Sequence, residues 1–405
     1  MELYKKRISD LGRIVTGKTP RTSNAQNYGG DIPFLTPSDD LTGKFAPKTV
    51  KTITELGLSE VKNCLLPSKS VCVSCIGSDL GKVVITNEPT VTNQQFNSII
   101  PTDENDTDFI YYLMTIVGKH LNFLSKTSTA VPIINKSTFS DYEIEVPSLE
   151  NQRRIAKILS SLDDKIETNR RINDNLEKQA QALFKSWFVD YEPFHNLPFI
   201  DSEQGRIPEG WCATVLEDLC SFISRGLTPK YDESSNELIL GQTCVRNNIV
   251  TIDNARKHSP KQRTDKWVKR WDTLINSTGV GSLGRVGIVY FDMDNVAIDS
   301  HITVVRPKSA LVRHYVGRNL LNRQLEIENM AIGSTGQTEL PKDRVKSLPI
   351  ILPDDNTLTR FNAIIEPIAC LLYRNVEESR HITTLRDSLL PRLMSGELKI
   401  NDLMM

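Results

Sequence analysis

The sequence has few of the features that mark secreted, membrane-spanning or strongly nucleic-acid-coating proteins. Its 405 residues include only seven scattered cysteines, too few for a disulfide framework. No run approaches the ~18 apolar residues of a membrane span, and the start, MELYKKRISDLGRIV, lacks the apolar core of a secretory signal. Its 49 Lys+Arg against 50 Asp+Glu give a net charge of -1, which argues against a histone-like protein. We therefore expect a cytoplasmic protein of two or three folded domains.

Catalytic and metal-binding motifs are equally scarce. The sequence contains no G-x-S-x-G elbow, no H-E-x-x-H and no Asn-Pro-Pro-type methyltransferase motif, and its six histidines show no carboxylate pairing. Cys72 and Cys75 form a CxxC inside a β-like run, but no second CxxC or paired histidine completes a zinc site. Buried thiols are the better interpretation. The sequence predicts a chain with neither a catalytic site nor a metal.

Two glycine-rich motifs resemble phosphate-binding loops. GRIVTGKT, residues 12–19, satisfies the P-loop pattern around Lys18, and GVGSLG, residues 279–284, satisfies the dinucleotide fingerprint. Neither has the required context, because turn-like residues follow Lys18 and a strand-like run follows Gly284. We expect both to be glycine-rich turns that allow close approach of the backbone. A P-loop nucleotide-binding protein is the alternative.

An internal repeat is the most informative pattern in the chain. ISDLGRIVTGKTP, residues 8–20, matches LEDLCSFISRGLTP, residues 216–229, around a shared Gly-x-Thr-Pro turn. From Ser128 onward, whose counterpart is Ser334, the offset between matching residues stays at 206. A constant offset over a long stretch indicates a duplicated structural element. The sequence therefore predicts two related halves.

Each half ends in a segment with helical periodicity. Apolar residues recur at spacings of three and four over 150–190, and again from Phe361 through Ile364 and onward. Asn169 and Asn375 hold equivalent places in these otherwise apolar seams. A buried asparagine costs stability but fixes the register of paired helices. We expect the two helices to pack antiparallel with both asparagines near the middle; two unrelated amphipathic helices are the alternative.

Composition divides the chain into four segments. Residues 1–148 and 196–356 are rich in short β-type runs broken by Gly, Pro, Asn and Asp, whereas 149–195 and 357–405 carry the helical patterns. Residues 191–210 contain prolines and little periodicity, so we expect a linker there. The predicted fold is α+β, with two globular domains related by a pseudo-twofold repeat and separated by two long antiparallel coiled-coil helices.

Polar and basic clusters favour contact with DNA. The densest basic stretch, residues 256–270, has seven Lys or Arg and one Asp, a net charge of +6. TNQQFN at 92–97 and GQTCVRNN at 241–248 offer the side chains that bind adenine and guanine edges in a major groove. KTSTAVP at 126–132 and IGSTGQTELP at 332–341 are small hydroxyl-bearing loops suited to phosphate contact. Solvated loops and ordinary polar hairpins would look similar.

Three segments resemble the specificity subunit of type I restriction-modification systems. They are LENQRRIAKILSSLDDKIETNRRINDNLEKQAQALFKSWFVDYEPF at 149–194, IPEGW at 207–211 and LRDSLLPRLMSGELKI at 385–400, and the resemblance covers essentially the whole chain. It implies two target-recognition domains, each followed by a conserved helix and each reading one half of a bipartite, asymmetric DNA site. The first half lacks the Pro-Glu-Gly-Trp opening of the second, which we interpret as a shortened lead-in.

The resemblance also implies partners and a division of chemistry. The helices would set the gap between half-sites and dock two modification (methyltransferase) subunits, and restriction subunits would join the full complex. The chain itself would be non-catalytic and would have no membrane partner. S-adenosylmethionine, ATP and Mg are expected on the partner subunits. A coiled-coil adaptor with no role in DNA binding is the remaining alternative.

Candidate DNA-binding residues come from two sources. The resemblance supplies the recognition-domain turns, which are Gly17, Thr19 and Pro20 in the first copy and Gly226, Thr228 and Pro229 in the second. Recognition domains diverge strongly in this family, so the other candidates rest on side-chain chemistry alone. The full set is Lys18, Thr19, Lys82, Gln94, Gln95, Ser128, Thr129, Lys136, Arg225, Thr228, Lys230, Gln242, Arg246, Arg263, Lys266, Lys269, Arg270, Arg285, Ser300, His301, Ser334, Thr335, Gln337 and Lys342.

Overall fold

The computed structural model describes residues 1–77, 80–125, 133–259, 264–333 and 338–398. The chain forms two compact units, one made of residues 1–167 together with those from 381 onward, the other of residues 168–380. The α-helices are α1 (Glu55–Glu60), α2 (Thr107–Ser125), α3 (Lys136–Ser140), α4 (Leu149–Phe188), α5 (Arg313–Asn322), α6 (Gln324–Asn329), α7 (Lys342–Lys346) and α8 (Asp355–Met394). None of the helices in the described part of the chain is both long enough and apolar enough to span a membrane.

Two four-stranded sheets form the globular part of the first unit. Its strands are β1 (Tyr4–Arg7), β2 (Gly12–Thr16), β3 (Tyr28–Leu35), β4 (Lys51–Ile53), β5 (Leu65–Leu66), β6 (Val71–Ser74), β7 (Val83–Ile85), β8 (Thr90–Thr92), β9 (Phe96–Pro101) and β10 (Glu143–Val146). The sheet orders are β2-β9-β6-β7 and β4-β3-β8-β5, and β1 pairs with β10. Strand β6, with the sequence Val-Cys-Val-Ser, is buried along its whole length. Helix α2 starts after Asp106, whose carboxylate accepts a hydrogen bond from the Phe109 N–H at 2.9 Å.

The second unit repeats this arrangement with additions at one edge. Its strands are β11 (Phe199–Ser202), β12 (Gly205–Pro208), β13 (Cys212–Val215), β14 (Cys220–Arg225), β15 (Glu237–Leu240), β16 (Val245–Arg246), β17 (Asn248–Val250), β18 (Arg256–His258), β19 (Thr273–Asn276), β20 (Val286–Ile288), β21 (Val296–Ile298), β22 (Ile302–Pro307) and β23 (Pro349–Leu352). The larger sheet has the order β14-β22-β19-β20-β17-β16, and the smaller has β18-β15-β21.

Strand pairing confirms the internal repeat. The order β2-β9-β6-β7 of the first unit corresponds to β14-β22-β19-β20 of the second. The parallel pair β3–β8 corresponds to the parallel pair β15–β21, and the antiparallel pair β1–β10 to β13–β23. Strands β16 and β17 have no counterpart among the described strands of the first unit. The predicted α+β fold with a duplicated domain and two long helices is confirmed.

Helices α4 and α8 are each 40 residues long, about 60 Å at 1.5 Å per residue. In the first unit, Arg386 of α8 donates a hydrogen bond to Asp163 of α4 at 2.7 Å. In the second unit, Asn169 of α4 donates to Ser379 of α8 at 3.2 Å. Also in the second unit, Asn375 of α8 contacts Asn173 of α4. Within this unit the contacting residue numbers rise along one helix as they fall along the other, so the helices run antiparallel there.

Buried amides occupy the predicted polar positions of this helix pair. Asn169 and Asn375 are 1% and 7% exposed. Besides the Asn169–Ser379 bond, Asn375 donates to the side-chain oxygen of Asn173 at 2.8 Å. Asn169 is the repeat equivalent of Asn375, and Asn173 is that of Ser379, so the two contacts are related by the pseudo-twofold repeat. A buried amide is costly unless it has a hydrogen-bond partner, so shifting one helix along the other would be unfavourable. That the two asparagines fix the register of the helix pair stays a prediction.

Two details of the structure differ from the sequence-based expectations. Ile364, predicted to face the other helix, is 45% exposed, whereas the neighbouring Ile365 is fully buried. The expected linker, residues 191–210, contains the β11–β12 hairpin. Phe194 is buried against Trp211, with the ring centroids 5.1 Å apart. Aromatic packing therefore orders a segment whose prolines alone suggested a linker.

Candidate nucleic-acid interface

Three loops meet at one end of the sheet β2-β9-β6-β7 in the first unit. They follow β2 (residues 17–20), follow β6 (75–77 and 80–82) and precede β9 (93–95). We call them the first recognition loops. The Lys18 N–H donates to Thr92 O at 2.9 Å, and the Cys75 N–H donates to Gln95 O at 2.7 Å. Backbone hydrogen bonds thus hold together residues that are distant in sequence.

Gly17 is required for this loop contact. A Cβ atom at Gly17 would lie 2.1 Å from the backbone oxygen of Asn93, far inside ordinary contact distance. In the second unit, a Cβ atom at Gly226 would lie 2.0 Å from the backbone oxygen of Ile298. The glycine of the shared Gly-x-Thr-Pro motif is therefore required in both copies, because two backbone segments pass too closely there for any side chain.

Side chains of the first recognition loops are held by hydrogen bonds. Thr19 Oγ1 donates to Gln94 Oε1 at 2.6 Å. The Asn93 side chain accepts from the Gln95 N–H at 3.1 Å and donates to Gln95 Oε1 at 2.8 Å. Lys18 and Gln94 are exposed. The structure therefore brings together four candidates: Lys18, Thr19, Gln94 and Gln95.

The second unit has the same loops in the same arrangement, at residues 226–229, 277–285 and 299–301. We call them the second recognition loops. The Leu227 N–H donates to Ile298 O at 2.6 Å, as Lys18 does to Thr92. The Ser277 N–H donates to His301 O at 2.9 Å, as Cys75 does to Gln95. The backbone framework is thus duplicated bond for bond at these positions.

A row of hydrogen-bonded polar side chains joins Gln242, which precedes β16, to Thr278 and His301 of the second recognition loops. Gln242 Nε2 donates to Thr278 Oγ1 at 2.7 Å, and Thr278 Oγ1 lies 2.9 Å from His301 Nδ1. Lys266 Nζ donates to Gly226 O at 3.0 Å, and Arg225 donates to Ser300 O at 3.2 Å. These two cations are thus already engaged in holding the loops, while the row formed by Gln242, Thr278 and His301 ends on an exposed imidazole.

Two pairs of equivalent positions beside the two sets of loops carry a positive charge in both copies of the repeat. Lys82 and Arg285 occupy equivalent places, because Ser74 N–H donates to Lys82 O and Asn276 N–H donates to Arg285 O, both at 2.9 Å. Lys136 and Lys342 are the first residues of α3 and α7, and both are exposed. The other hydroxyl and amide candidates of these loops, Ser128, Thr129, Ser334, Thr335 and Gln337, lie outside the described residues.

Two described cations of the basic stretch 256–270 are already engaged with other side chains. Arg270 is stacked between Trp271 and Tyr373, with its guanidinium carbon 4.4 Å and 4.0 Å from the ring centroids. Lys269 pairs with Asp265 at 3.3 Å. Arg263 lies outside the described residues. Only part of the +6 charge is therefore available to a ligand. The sequence alone did not show that Lys269 and Arg270 have partners within the protein.

Two further candidates, Arg246 and Lys230, are exposed but are not part of the hydrogen-bonded row formed by Gln242, Thr278 and His301. Arg246 is exposed on the short edge strand β16. Lys230 is exposed, and its backbone N–H donates to His258 Nδ1 at 3.1 Å. Among the described residues, no hydrogen bond or ion pair joins either side chain to Gln242, Thr278 or His301.

The glycine-rich motifs are structural turns. Residues 17–24, all within the described part of the chain, form no helix, so the P-loop interpretation is wrong. Strand β20 follows Gly284, as predicted. Glycines in these turns allow close packing against other segments of the protein. A Cβ atom at Gly81 would lie 2.2 Å from Gly118 O, and one at Gly284 would lie 2.7 Å from the Glu328 Cα.

The CxxC cysteines are buried thiols. Burial raises the pKa of Cys72 to about 12 and that of Cys75 to about 11, so both stay protonated at neutral pH. Within the described ranges, no three His, Cys, Asp or Glu side chains are placed to hold a metal ion. The burial of both side chains confirms the interpretation of Cys72 and Cys75 as part of the core.

Sequence reasoning missed two residues that shape the loops. The Asn93 carboxamide accepts from the Gln95 N–H at 3.1 Å, and the Asp299 carboxylate accepts from the His301 N–H at 2.9 Å. Both form the same side-chain turn, for which Asn and Asp are suited. Asn93 and Asp299 are 206 residues apart, which is the offset of the internal repeat. That spacing was the sequence signal that could have identified them.

Comparison with known proteins identifies the family that the chain resembles. Residues 2–178 match a family model described as the type I restriction modification DNA specificity domain. The chain is 30% identical, over 98% of its length and 94% of the relative's, to the type I restriction enzyme MjaIX specificity subunit of Methanocaldococcus jannaschii. It is 39% identical to the type I restriction enzyme HindI specificity subunit of Haemophilus influenzae, over 41% of this chain and 37% of that protein.

A solved structure supports the same fold. The crystal structure of a type I restriction-modification S subunit from M. genitalium is similar, with a TM-score of 0.54 and 16% sequence identity. The similarity covers 97% of this chain and 96% of that one. The full-length match to MjaIX, the family model and the shared fold agree, and the chain belongs to the family of type I restriction-modification DNA specificity subunits.

Proposed function

We propose that this chain reads a bipartite, asymmetric DNA site, with one half-site bound by the recognition loops of each unit. The observation that carries this proposal is the duplicated backbone framework on which the two copies hold different polar side chains. Amide, hydroxyl and imidazole groups at the loop ends suit hydrogen bonding to base edges in a major groove. Nearby lysines suit phosphate contacts.

The methyl transfer and cleavage reactions belong to partner subunits in this proposal. Two modification (methyltransferase) subunits would dock on α4, α8 and adjoining surfaces, and restriction subunits would complete the complex. S-adenosylmethionine, ATP and Mg would be bound by those partners. The absence of recognisable catalytic motifs in the sequence and the net charge of -1 support a subunit that contributes specificity and gains affinity from the assembled complex.

The helices α4 and α8 would fix the gap between the half-sites. Inserting four residues beside Asn169 and four beside Asn375 keeps the antiparallel partners matched and lengthens the pair by about 6 Å. At about 3.4 Å per base pair, the selected gap should grow by about two base pairs. Replacing four exposed residues of each helix by alanine, without insertion, is the matched control. An unchanged gap in the insertion variant would refute this role.

Selection from random DNA tests the proposed function. The chain is purified together with a modification subunit of its system and incubated with randomised duplexes, and the retained DNA is sequenced. We expect two short, different motifs separated by a fixed gap. A single contiguous motif, or no motif, would contradict the proposal, and the second result is what a coiled-coil adaptor without a DNA role predicts.

A further inference from the structure

We infer that the recognition loops divide into shared positions that contact the DNA backbone and unshared positions that contact bases, with Gln94 selecting an adenine in the first half-site. This inference rests on the proposed function and deepens it. Its basis is a comparison of the two copies of the repeat within one chain. Phosphates are the same in every half-site, whereas bases differ. Residues that contact phosphates should therefore be alike in the two copies of the repeat, and residues that contact bases should differ.

The backbone-contact positions carry the same charge in both copies. Lys82 corresponds to Arg285, and Lys136 to Lys342. Lys136 and Lys342 each begin a five-residue helix and are exposed. The loops beside them are fixed alike, since Ile134 N–H donates to Cys75 O at 2.9 Å and Leu340 N–H donates to Ser277 O at 2.8 Å. A cation retained at an equivalent fixed place suits a phosphate.

The base-contact positions have equivalent backbones but different side chains. Gln94 corresponds to Ser300, and the preceding residue, Asn93 or Asp299, forms the same side-chain turn in each copy. The same comparison pairs Lys18 with Leu227 and Gln95 with His301. The chemistry therefore changes from amide and ammonium in the first copy to hydroxyl, imidazole and alkyl in the second, while the loop stays the same.

Gln94 has the geometry of a prepared base contact. Its side chain is exposed, and its Oε1 accepts a hydrogen bond from Thr19 Oγ1 at 2.6 Å. That bond restrains the long side chain before DNA arrives, which lowers the entropy cost of binding. A glutamine amide pairs with the N6 and N7 atoms of adenine. Ser300 instead donates to Asp299 at 3.2 Å and is too short to make the same pair.

Two substitutions separate the kinds of contact. Gln94→Ser installs the side chain of the second copy, and Lys136→Ala removes a charge from a backbone-contact position. Both side chains are exposed, so neither change disturbs a buried core. The complex of each variant with its modification subunit is tested by selection from randomised duplexes and by binding to single duplexes at several salt concentrations.

For Gln94→Ser, we expect the preference for adenine at one position of the first half-site to fall roughly 5- to 150-fold. The second half-site, the gap and the salt dependence should not change. For Lys136→Ala, we expect equal weakening on matched and mismatched duplexes, an unchanged motif, and a salt slope smaller by about 0.9.

The outcomes distinguish the inference from the proposed function. If the wild-type complex selects no split motif, the proposed function fails. If it selects one and Gln94→Ser leaves every position unchanged, or alters the second half-site, the inference is overturned. A changed motif in Lys136→Ala would overturn it as well. Should Gln94→Ser fold poorly by circular dichroism, Ser300→Gln tests the equivalent position, where a gained adenine preference is expected and an unchanged motif contradicts the inference.

Discussion

Replacing Gly17 by alanine should disable one half of the recognition apparatus. The new Cβ atom would lie 2.1 Å from Asn93 O and 2.4 Å from Thr92 O, against about 3.4 Å for ordinary contact. Both obstacles are backbone atoms, so no change of rotamer relieves the clash, and one segment must move by about 1 Å. Overpacking of this kind costs about 1–3 kcal/mol. The bond from the Lys18 N–H to Thr92 O, 2.9 Å long, lies at the same place and should be strained.

The functional consequence should be confined to one half-site. Binding of the complex is measured with a matched duplex and with duplexes mismatched in either half, where each mismatch normally costs about 1–3 kcal/mol. Gly17→Ala should lose discrimination in the first half only, and Gly226→Ala in the second half only. Gly43 and Gly241 supply matched controls, because their added Cβ atoms meet nothing closer than 3.6 Å and nothing within 4 Å, respectively. Equal loss in both halves, or full retention in Gly17→Ala, would refute the reasoning.

Two further predictions concern the stability of the second unit. Glu177→Ala should leave the buried Arg318 without its carboxylate and cost about 3–5 kcal/mol in urea unfolding, whereas Glu177→Leu with Arg318→Met should be nearly neutral; equal losses would contradict this. Burial lowers the pKa of His314 to about 4, and hydrogen bonds from Arg313 and His314 outweigh burial and lower that of Glu366 to about 2. Both groups bind fewer protons when folded, so the melting temperature should fall between pH 6.5 and 2. Glu366→Gln removes the glutamate titration and should flatten the fall below about pH 4.5, whereas the fall between pH 6.5 and 4, which comes from His314, should remain.

Local patterns made the long helices predictable, whereas side-chain detail depended on packing. The periodicity over α4 and α8, and the polar places of Asn169 and Asn375, follow from spacing alone. Ile364 and Ile365 are adjacent and equally apolar, so the sequence does not show which of them is buried. The packing of the helix against its neighbours decides this. The β11–β12 hairpin was missed because it is ordered by aromatic contacts such as Phe194 with Trp211, which composition does not show.

The candidate site was predictable in outline for a similar reason. The Gly-x-Thr-Pro repeat located both sets of recognition loops. The bond between Thr19 and Gln94 joins residues far apart in sequence, so no local pattern reveals it. Arg270 was proposed as a DNA contact because of its charge, but its guanidinium is stacked between two aromatic rings. That packing could not be seen in the sequence.

Methylation mapping tests the central claim most directly. Cells without other DNA methyltransferases would express this chain with the modification subunit of its system, and modified bases would be located by single-molecule sequencing of the genome. Two copies of one recognition framework with different side chains predict a single motif of two unlike halves at a fixed gap. Methylation that follows a contiguous motif, two identical halves or no motif would contradict the account.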